Sequence, residues 1–251
     1  MTPRGRASLC GQFHKRISTR VEAPLWATAL ALEARDGERV VDQAVLVSCD
    51  LVGVAPQVPV LLRRKLEGKA EGLDPRKIVL NATHTHTGPV TGEKWYEVTE
   101  EGVMKPGEYV EFLVGRLAEA VEEAWRNRKP AGVNWGLGYA TVGFNRRMVY
   151  ADGRAAMYGA NNRPDFRNVE GYQDSAVEIL FFWDGDRKLT GLAVNVPCPS
   201  QVVETANYIS SDSWHDVRAV LRERYSKDLQ VRAWCSAAGD LSPHPQIRRA
   251  A

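Results

Sequence analysis

Thr83-His84-Thr85-His86-Thr87-Gly88-Pro89 holds two of the five histidines in a chain of 251 residues. It closes the apolar run Ile78-Val79-Leu80-Asn81-Ala82, which reads as a buried strand. Residues two apart in a strand face the same way, so His84 and His86 are expected to project together, about 7 Å apart at their Cα atoms. Gly88-Pro89 then ends the strand. Two imidazoles on one face at a strand end suit a zinc site, a catalytic pair, or one of each. The plain alternative is a pair of satisfied polar side chains at a sheet edge. The gathering of so few histidines into one motif favours chemistry.

A second motif is Gly239-Asp240-Leu241-Ser242-Pro243-His244. Ser followed by Pro is a standard helix start, with Ser242 as N-cap and Pro243 in the first turn. The same geometry would expose the Ser242 hydroxyl beside helix N–H groups whose field favours an alkoxide or an oxyanion. An adjacent zinc would lower the pKa of the serine and remove the need for a histidine base. Arg146, in Asn145-Arg146-Arg147, is a candidate cation for a carboxylate or for developing negative charge; alone, it reads as a solvated surface arginine. Asn195-Val196-Pro197-Cys198-Pro199-Ser200-Gln201 ends another apolar run, where two prolines either present Cys198 or build a rigid buried turn.

The elements that would position these residues alternate along the chain. Strands are expected over Trp26 to Glu33, Val40 to Ser48 (running into Asp50), Lys77 to Thr83, Val133 to Val142, Ser175 to Trp183, Leu189 to Val196 and Leu229 to Cys235. Helical spacing runs from Pro56 to Gly72. The clearest helix is Gly107 to Arg128, with Phe112, Leu113, Leu117, Ala120, Val121 and Trp125 as one apolar stripe. A third helix is expected from Ser213 to Tyr225, capped by Ser211 or Asp212. Residues 145–168 are polar and glycine-containing, a long functional loop or a pair of short hairpins. Strands interleaved with helices predict an α/β layered domain, a central mixed β-sheet flanked by helices, with its polar motifs at strand ends.

The composition is that of an ordinary globular chain, 44% apolar and 25% charged. Thirty-three basic against thirty-one acidic residues leave a net charge of +2, which gives no reason to invoke nucleic acid. No apolar stretch is long enough for a transmembrane segment. Met1-Thr2-Pro3-Arg4-Gly5-Arg6 is not followed by the apolar core of a signal peptide, which leaves a cytoplasmic or a secreted location open. Cys10, Cys49, Cys198 and Cys235 are scattered, with no Cys-x-x-Cys pair and no disulfide framework.

Taken in order, Gly11-x-x-His14, a strand ending at Asp50, Thr-His-Thr-His-x-Gly-Pro, Asn145-Arg146, the strand end at 195–201 and Gly-Asp-x-Ser-Pro resemble the N-terminal catalytic domain of the neutral/alkaline (non-lysosomal) ceramidase family. The resemblance covers nearly the whole chain, and residues 1–251 are read as one such domain. Both ends break off oddly, with residues 245–251 like the first turns of a helix, so a fragment is expected. The resemblance implies a zinc-dependent hydrolase that cleaves the N-acyl amide of ceramide to a sphingoid base and a fatty acid. It implies His84 as a zinc ligand, His86 in contact with the reacting group, Arg146 as an active-site cation, and Ser242 as nucleophile in a pentapeptide containing Asp240.

The departures are specific. A second ligand histidine is expected near the end of the strand at 195–196, where this chain reads Val196-Pro197-Cys198-Pro199. Cys198, Gln201 or Glu204 would have to serve, and Cys198 is the best chemical substitute because thiolate binds zinc well. His244 stands where the family usually has asparagine. The family's glutamate and tyrosine ligands lie beyond the serine motif, and this chain ends nine residues after Ser242. Two alternatives follow: a degenerate, non-catalytic binding domain of the same fold, or a barrel-type amidohydrolase, which would need further histidines at later strand ends. The expected partner is a small-molecule amide or a lipid.

Overall fold

The computed structural model describes residues 1–92 and 96–247. In chain order its elements are β1 (Arg6–Leu9), β2 (Arg16–Ile17), β3 (Ala27–Asp36), β4 (Arg39–Cys49), α1 (Gln57–Leu66), β5 (Ile78–Ala82), β6 (Val103–Met104) and α2 (Pro106–Arg126). There follow β7 (Gly132–Tyr139), β8 (Phe144–Asn145), β9 (Arg147–Tyr150), β10 (Ala155–Met157), β11 (Phe166–Val169), β12 (Ala176–Trp183), β13 (Leu189–Val196), α3 (Ser213–Arg224), β14 (Gln230–Cys235) and β15 (Leu241–Ser242).

The expected mixed α/β layering holds, with the central sheet doubled. One sheet has the order β3-β4-β5, and the other β14-β13-β12-β7. Each contains one parallel pair, β4 with β5 and β13 with β14, among antiparallel neighbours. Alternation assigns the faces. Val45, Val47, Cys49 and Ile78 pack under α1 and α2, against Val58, Leu62, Leu113, Leu117 and Val121. The opposite face of that sheet carries Leu30, Leu32 and Leu46, which meet Phe182, Ala193, Leu180 and Trp234 of the second sheet. The far side of the second sheet, with Leu192, Val194, Val231 and Ala233, is covered by Trp214 and Leu221 of α3. The layers therefore run helix, sheet, sheet, helix.

Polar ties lock the two sheets. Ser48 Oγ and Asn81 Nδ2 both donate to the Ala233 carbonyl, at 2.6 and 3.2 Å. Arg232 donates to the Ala29 carbonyl at 2.6 Å. Asp50, at the end of β4, takes both Arg218 nitrogens of α3 at 2.7 and 3.0 Å, and all of this pair is buried. Fully buried and bidentate, it is the strong kind of ion pair, and costly to break one-sidedly.

Several boundaries differ from the sequence reading. The helix expected from Pro56 to Gly72 stops at Leu66, and Gly68 and Gly72 then take positive φ values of 71° and 76°. In α2 the buried set is Tyr109, Val110, Leu113, Val114, Leu117, Ala118, Val121 and Trp125, so Ala118 rather than Ala120 lies on the apolar face. Residues 145–168 form an antiparallel three-stranded unit, β10-β9-β11, with β8 paired to β15. Ser242 does not begin a helix: it lies in β15, opposite Phe144, and residues 243–247 are not helical. The rest of the helix expected there, 248–251, lies outside the described residues. Among the described residues no helix is long and apolar enough to cross a membrane.

Candidate active site

The chain segments that leave β4, β5, β13 and β14 meet at one edge of the paired sheets. Thr83 to Pro89 leaves β5. The strand ends at Ala82, and His84 adopts φ of +63°, so the two histidines converge through a turn and not through strand alternation. Their ring centroids are 5.0 Å apart. The intervening threonines point the other way. Thr85 and Thr87 are buried and both donate to the Ser210 carbonyl, at 3.0 and 2.8 Å. Ser210 N–H returns a bond to the Thr87 carbonyl at 3.3 Å. The motif thus spends two of its three hydroxyls on anchorage and its imidazoles on the site.

His84 Nδ1 lies 2.7 Å from the Val52 carbonyl, which can only accept, so Nδ1 carries the proton and Nε2 presents a lone pair. Burial, and then the neighbouring His86, hold its pKa below the usual histidine range. His86 is 8% exposed. Its Nε2 lies 2.5 Å from Gln201 Nε2, and its Nδ1 lies 3.4 Å from Glu204 Oε2. Glu204 is held below its usual pKa, first by the hydrogen bond from His86. Gly11, at φ of +108°, sits against the imidazole: a Cβ there would stand 2.3 Å from His86 Cγ. Gln12 donates to the Glu204 carbonyl at 3.2 Å.

Loop 197–204 is set by Asp212. Its carboxylate accepts from Val202 N–H at 3.1 Å, Val203 N–H at 2.9 Å and Ser213 N–H at 2.6 Å. The expected N-cap of α3 is therefore also the clamp of the loop that carries Gln201 and Glu204. Its φ of 54° with ψ of −145° is a strained backbone for a non-glycine residue, held in place by these three bonds.

Arg146 joins the same cluster. It donates to Tyr158 OH at 2.9 Å, Gly239 O at 2.8 Å and Gln201 Oε1 at 3.4 Å. These acceptors are neutral, and among the described residues no carboxylate pairs with it. Asp240 braces this arginine through its backbone: its carbonyl accepts from Arg146 N–H at 2.8 Å, and its carboxylate from Asn145 Nδ2 at 2.9 Å. Asp240 is thus a scaffold for the Arg146 segment. Tyr158 sits at φ of +54° and donates its N–H to the Arg146 carbonyl at 2.7 Å.

Ser242 corrects the expected exposed hydroxyl. It is fully buried, because pairing of β15 with β8 covers it. Its Oγ accepts from His244 N–H at 3.2 Å, the local turn that Ser-Pro sequences favour. His244 Nε2 lies 3.1 Å from the Gln201 carbonyl. The serine therefore reaches the cluster through His244 and Gln201.

Among the described residues Cys198 makes no hydrogen bond to His84. Its buried thiol points at the Pro199 carbonyl at 3.5 Å, and burial, with Cys235 and Asp212 nearby, pushes its pKa up to about 12. Among the described residues no three of His, Cys, Asp and Glu are gathered into a metal-holding group. His84, with its Nδ1 fixed on a carbonyl, has the form of a metal ligand. The donor set around it does not reach the three that catalytic zinc ordinarily takes. The structure brings His84, His86 and Arg146 into one neighbourhood. Sequence reading named Gln201 and Glu204 only as stand-in ligands, and it missed Gln12, Tyr158 and the loop-setting role of Asp212.

No family model matches the chain. The neutral ceramidase of Pseudomonas aeruginosa is 25% identical over 232 residues, covering 89% of this chain and 32% of its own length. The chain thus spans about a third of that curated relative. Two solved structures share the fold. A crystal structure of neutral ceramidase from Pseudomonas aeruginosa gives a TM-score of 0.72 at 19% identity, over 98% of this chain and 40% of the other. A ceramidase complexed with C2 gives 0.70 at 20% identity, over 95% and 37%.

Proposed function

We propose, for a chain that is neutral-ceramidase-like in sequence and in fold, the hydrolysis of an N-acyl amide bond in a ceramide-type lipid or a related amide. The observation that carries this reading is the cluster centred on Gln201, which touches His86, Arg146 and His244. Amide hydrolysis needs an attacking oxygen, a proton carrier for the leaving nitrogen, and positive charge where the carbonyl oxygen becomes anionic. Arg146, bonded only to neutral acceptors among the described residues, has its charge available for the third task. His86 suits the second. Ser242 or a water supplies the first. Zinc belongs to the same proposal with His84 as its ligand, yet the described residues do not supply the remaining donors, and no step is assigned to a metal.

Hydrolysis of labelled N-acyl-sphingosine by the wild type, Ser242→Ala and His84→Ala tests the reading, with bound zinc measured in each. The expected outcome is turnover by the wild type and a loss of roughly 10²–10⁴-fold in both variants. Equal rates in wild type and Ser242→Ala would remove the serine from the reaction. The burial of Ser242 favours a second reading, a binding domain of the same fold. A wild type that holds no zinc, does not turn over and binds the lipid unchanged after His84→Ala would establish it.

A further inference from the structure

We propose that Arg16 is a positioning residue: its guanidinium gathers the three chain segments that bear on His86 and so sets where that imidazole stands. Arg16 lies in β2, opposite Leu9 of β1, and is 5% exposed. Its Nη1 donates to the Ala206 carbonyl at 2.6 Å. Its Nη2 donates to the carbonyls of Cys10 at 2.9 Å and His86 at 2.5 Å. All three acceptors are neutral, and among the described residues no carboxylate forms an ion pair with this buried cation. A charged side chain is rarely buried without such a partner. Carbonyl oxygens that converge on one point repel one another, and out of water each needs a donor. The planar fork meets them from two nitrogens, where a lysine ammonium has one.

Each of the three segments reaches the ring. Cys10 leads into Gly11, which packs on the imidazole, and into Gln12, whose amide donates to the Glu204 carbonyl at 3.2 Å. Ala206 follows Glu204 by two residues, and Glu204 Oε2 stands 3.4 Å from His86 Nδ1. The third segment is the backbone of His86 itself, and Cys10 N–H donates to the Gly88 carbonyl just beyond it at 2.9 Å. Gln201 and Arg146 are set by other bonds, from Asp212 to Val202 and Val203, and from Asp240 to Asn145 and Arg146. Loss of Arg16 therefore moves His86 against Gln201 and Arg146 without touching either of them. Arg16 Nε has no partner among the described residues, so the two terminal nitrogens make every one of these bonds. A free guanidinium ion can reproduce the whole set. The catalytic meaning of this hub rests on the amidase reading; its geometry does not.

The test combines hydrogen exchange, read by mass spectrometry, with amide hydrolysis in Arg16→Ala and Arg16→Lys. In Arg16→Ala the segments 10–14, 86–88 and 204–207 are expected to lose protection together, while β3 and β4 keep theirs and show that the fold is intact. Guanidinium ion, added far below unfolding concentrations, is expected to restore protection to all three segments, and ammonium ion is not. Arg16→Lys keeps the charge without the fork, so at least one segment is expected to stay loosened, with no response to guanidinium. Where the wild type turns over a short-chain N-acyl-sphingosine, Arg16→Ala is expected to lower kcat roughly 10–100-fold with KM little changed, and guanidinium to recover most of the loss. A purely structural residue would not give back kcat to a small cation of one particular shape. Three segments that loosen independently, or that guanidinium leaves loosened, overturn the hub. Loosened segments with an unchanged kcat overturn the positioning role. A wild type without amide hydrolysis removes the amidase reading, and the exchange pattern alone then decides whether Arg16 holds His86 in place.

Discussion

His84 and His86 stand two residues apart, and their surroundings treat them in opposite ways. His84 sits half-buried on a left-handed backbone, with one ring nitrogen on Val52 O and the other presented to the site. His86 is buried, pressed by Gly11, and has a side-chain neighbour at each nitrogen. The His84 side is anchored from below by charge, since Asp50, two residues before Val52, grips Arg218 and also accepts from Trp26 N–H at 2.9 Å. The His86 side is flanked by amides and a largely buried carboxylate. One imidazole is thus left open on one side while the other is enclosed by side chains at both ring nitrogens. A single His-x-His motif therefore places its two rings in different environments although each is flanked by threonines.

The sharpest way to break this contrast is at Asp50. Asp50→Ala leaves Arg218 buried without its partner, and a loss of about 3–5 kcal/mol is expected in urea unfolding. A cost near that of an ordinary surface substitution would show that the His84 side has no such anchor. Next in size is Gly11→Ala on the His86 side. It combines a φ of +108° with a Cβ placed in the imidazole ring, and about 1–3 kcal/mol is expected from strain and crowding. The same variant is expected to shift the His86 ring resonances and leave those of His215 in place. If both rings are unmoved, the close packing of Gly11 on His86 is not what holds that side.

How far these two sides could be read in the sequence follows from the range of the interactions that make them. Residue periodicity marked α2, which turns one apolar stripe to the sheet, and the long strands, whose apolar residues come in dense runs. It did not show that the strands divide into two stacked sheets, since a residue such as Leu46 looks the same whether it faces a helix or another sheet. The Thr-His-Thr-His motif was legible because its chemistry lies in contiguous residues. Gln201 and Glu204 were not legible as partners of His86, because more than a hundred residues separate them and the loop between is shaped by Asp212. Ser242-Pro243 carries a strong local helix signal, yet the strand pairing of β15 with Phe144–Asn145 overrides it. Tyr158 offered only one weak sign, a polar, glycine-containing stretch.

A pH series sharpens the His86 side further. The Glu204 carboxyl is held below its usual 4.5, chiefly by the bond from His86. A carboxylate with a depressed folded-state pKa contributes stability that is fully present above the unfolded value and is lost as pH falls through the folded one. Wild type is therefore expected to be more stable than Glu204→Gln at pH 7, and the gap is expected to close progressively below about pH 4.5. Unfolding free energies measured in urea at a series of pH values give the curve directly. A gap that stays constant down to pH 3 would mean that Glu204 acts by packing and not by charge.

The smallest expected effect on stability belongs to Phe13, and it separates rim from anchor. This ring is 98% exposed, on the loop whose neighbour Gln12 touches His86 and Glu204. Its Gln12 carbonyl is held in turn by the Tyr96 hydroxyl. Since Phe13 buries almost nothing, Phe13→Ala is expected to change stability by no more than about 0.5 kcal/mol. If the proposed lipid-amide hydrolysis holds, this aromatic ring next to the cluster has apolar area to bury against a long acyl chain or sphingoid tail. Loss of that contact should raise KM for a long-chain amide several-fold, about 1 kcal/mol of apolar burial, while leaving a short-chain amide unaffected. Equal KM changes for short and long substrates would place Phe13 outside the binding surface, and would confine the substrate to the side of the cluster where His84 lies open.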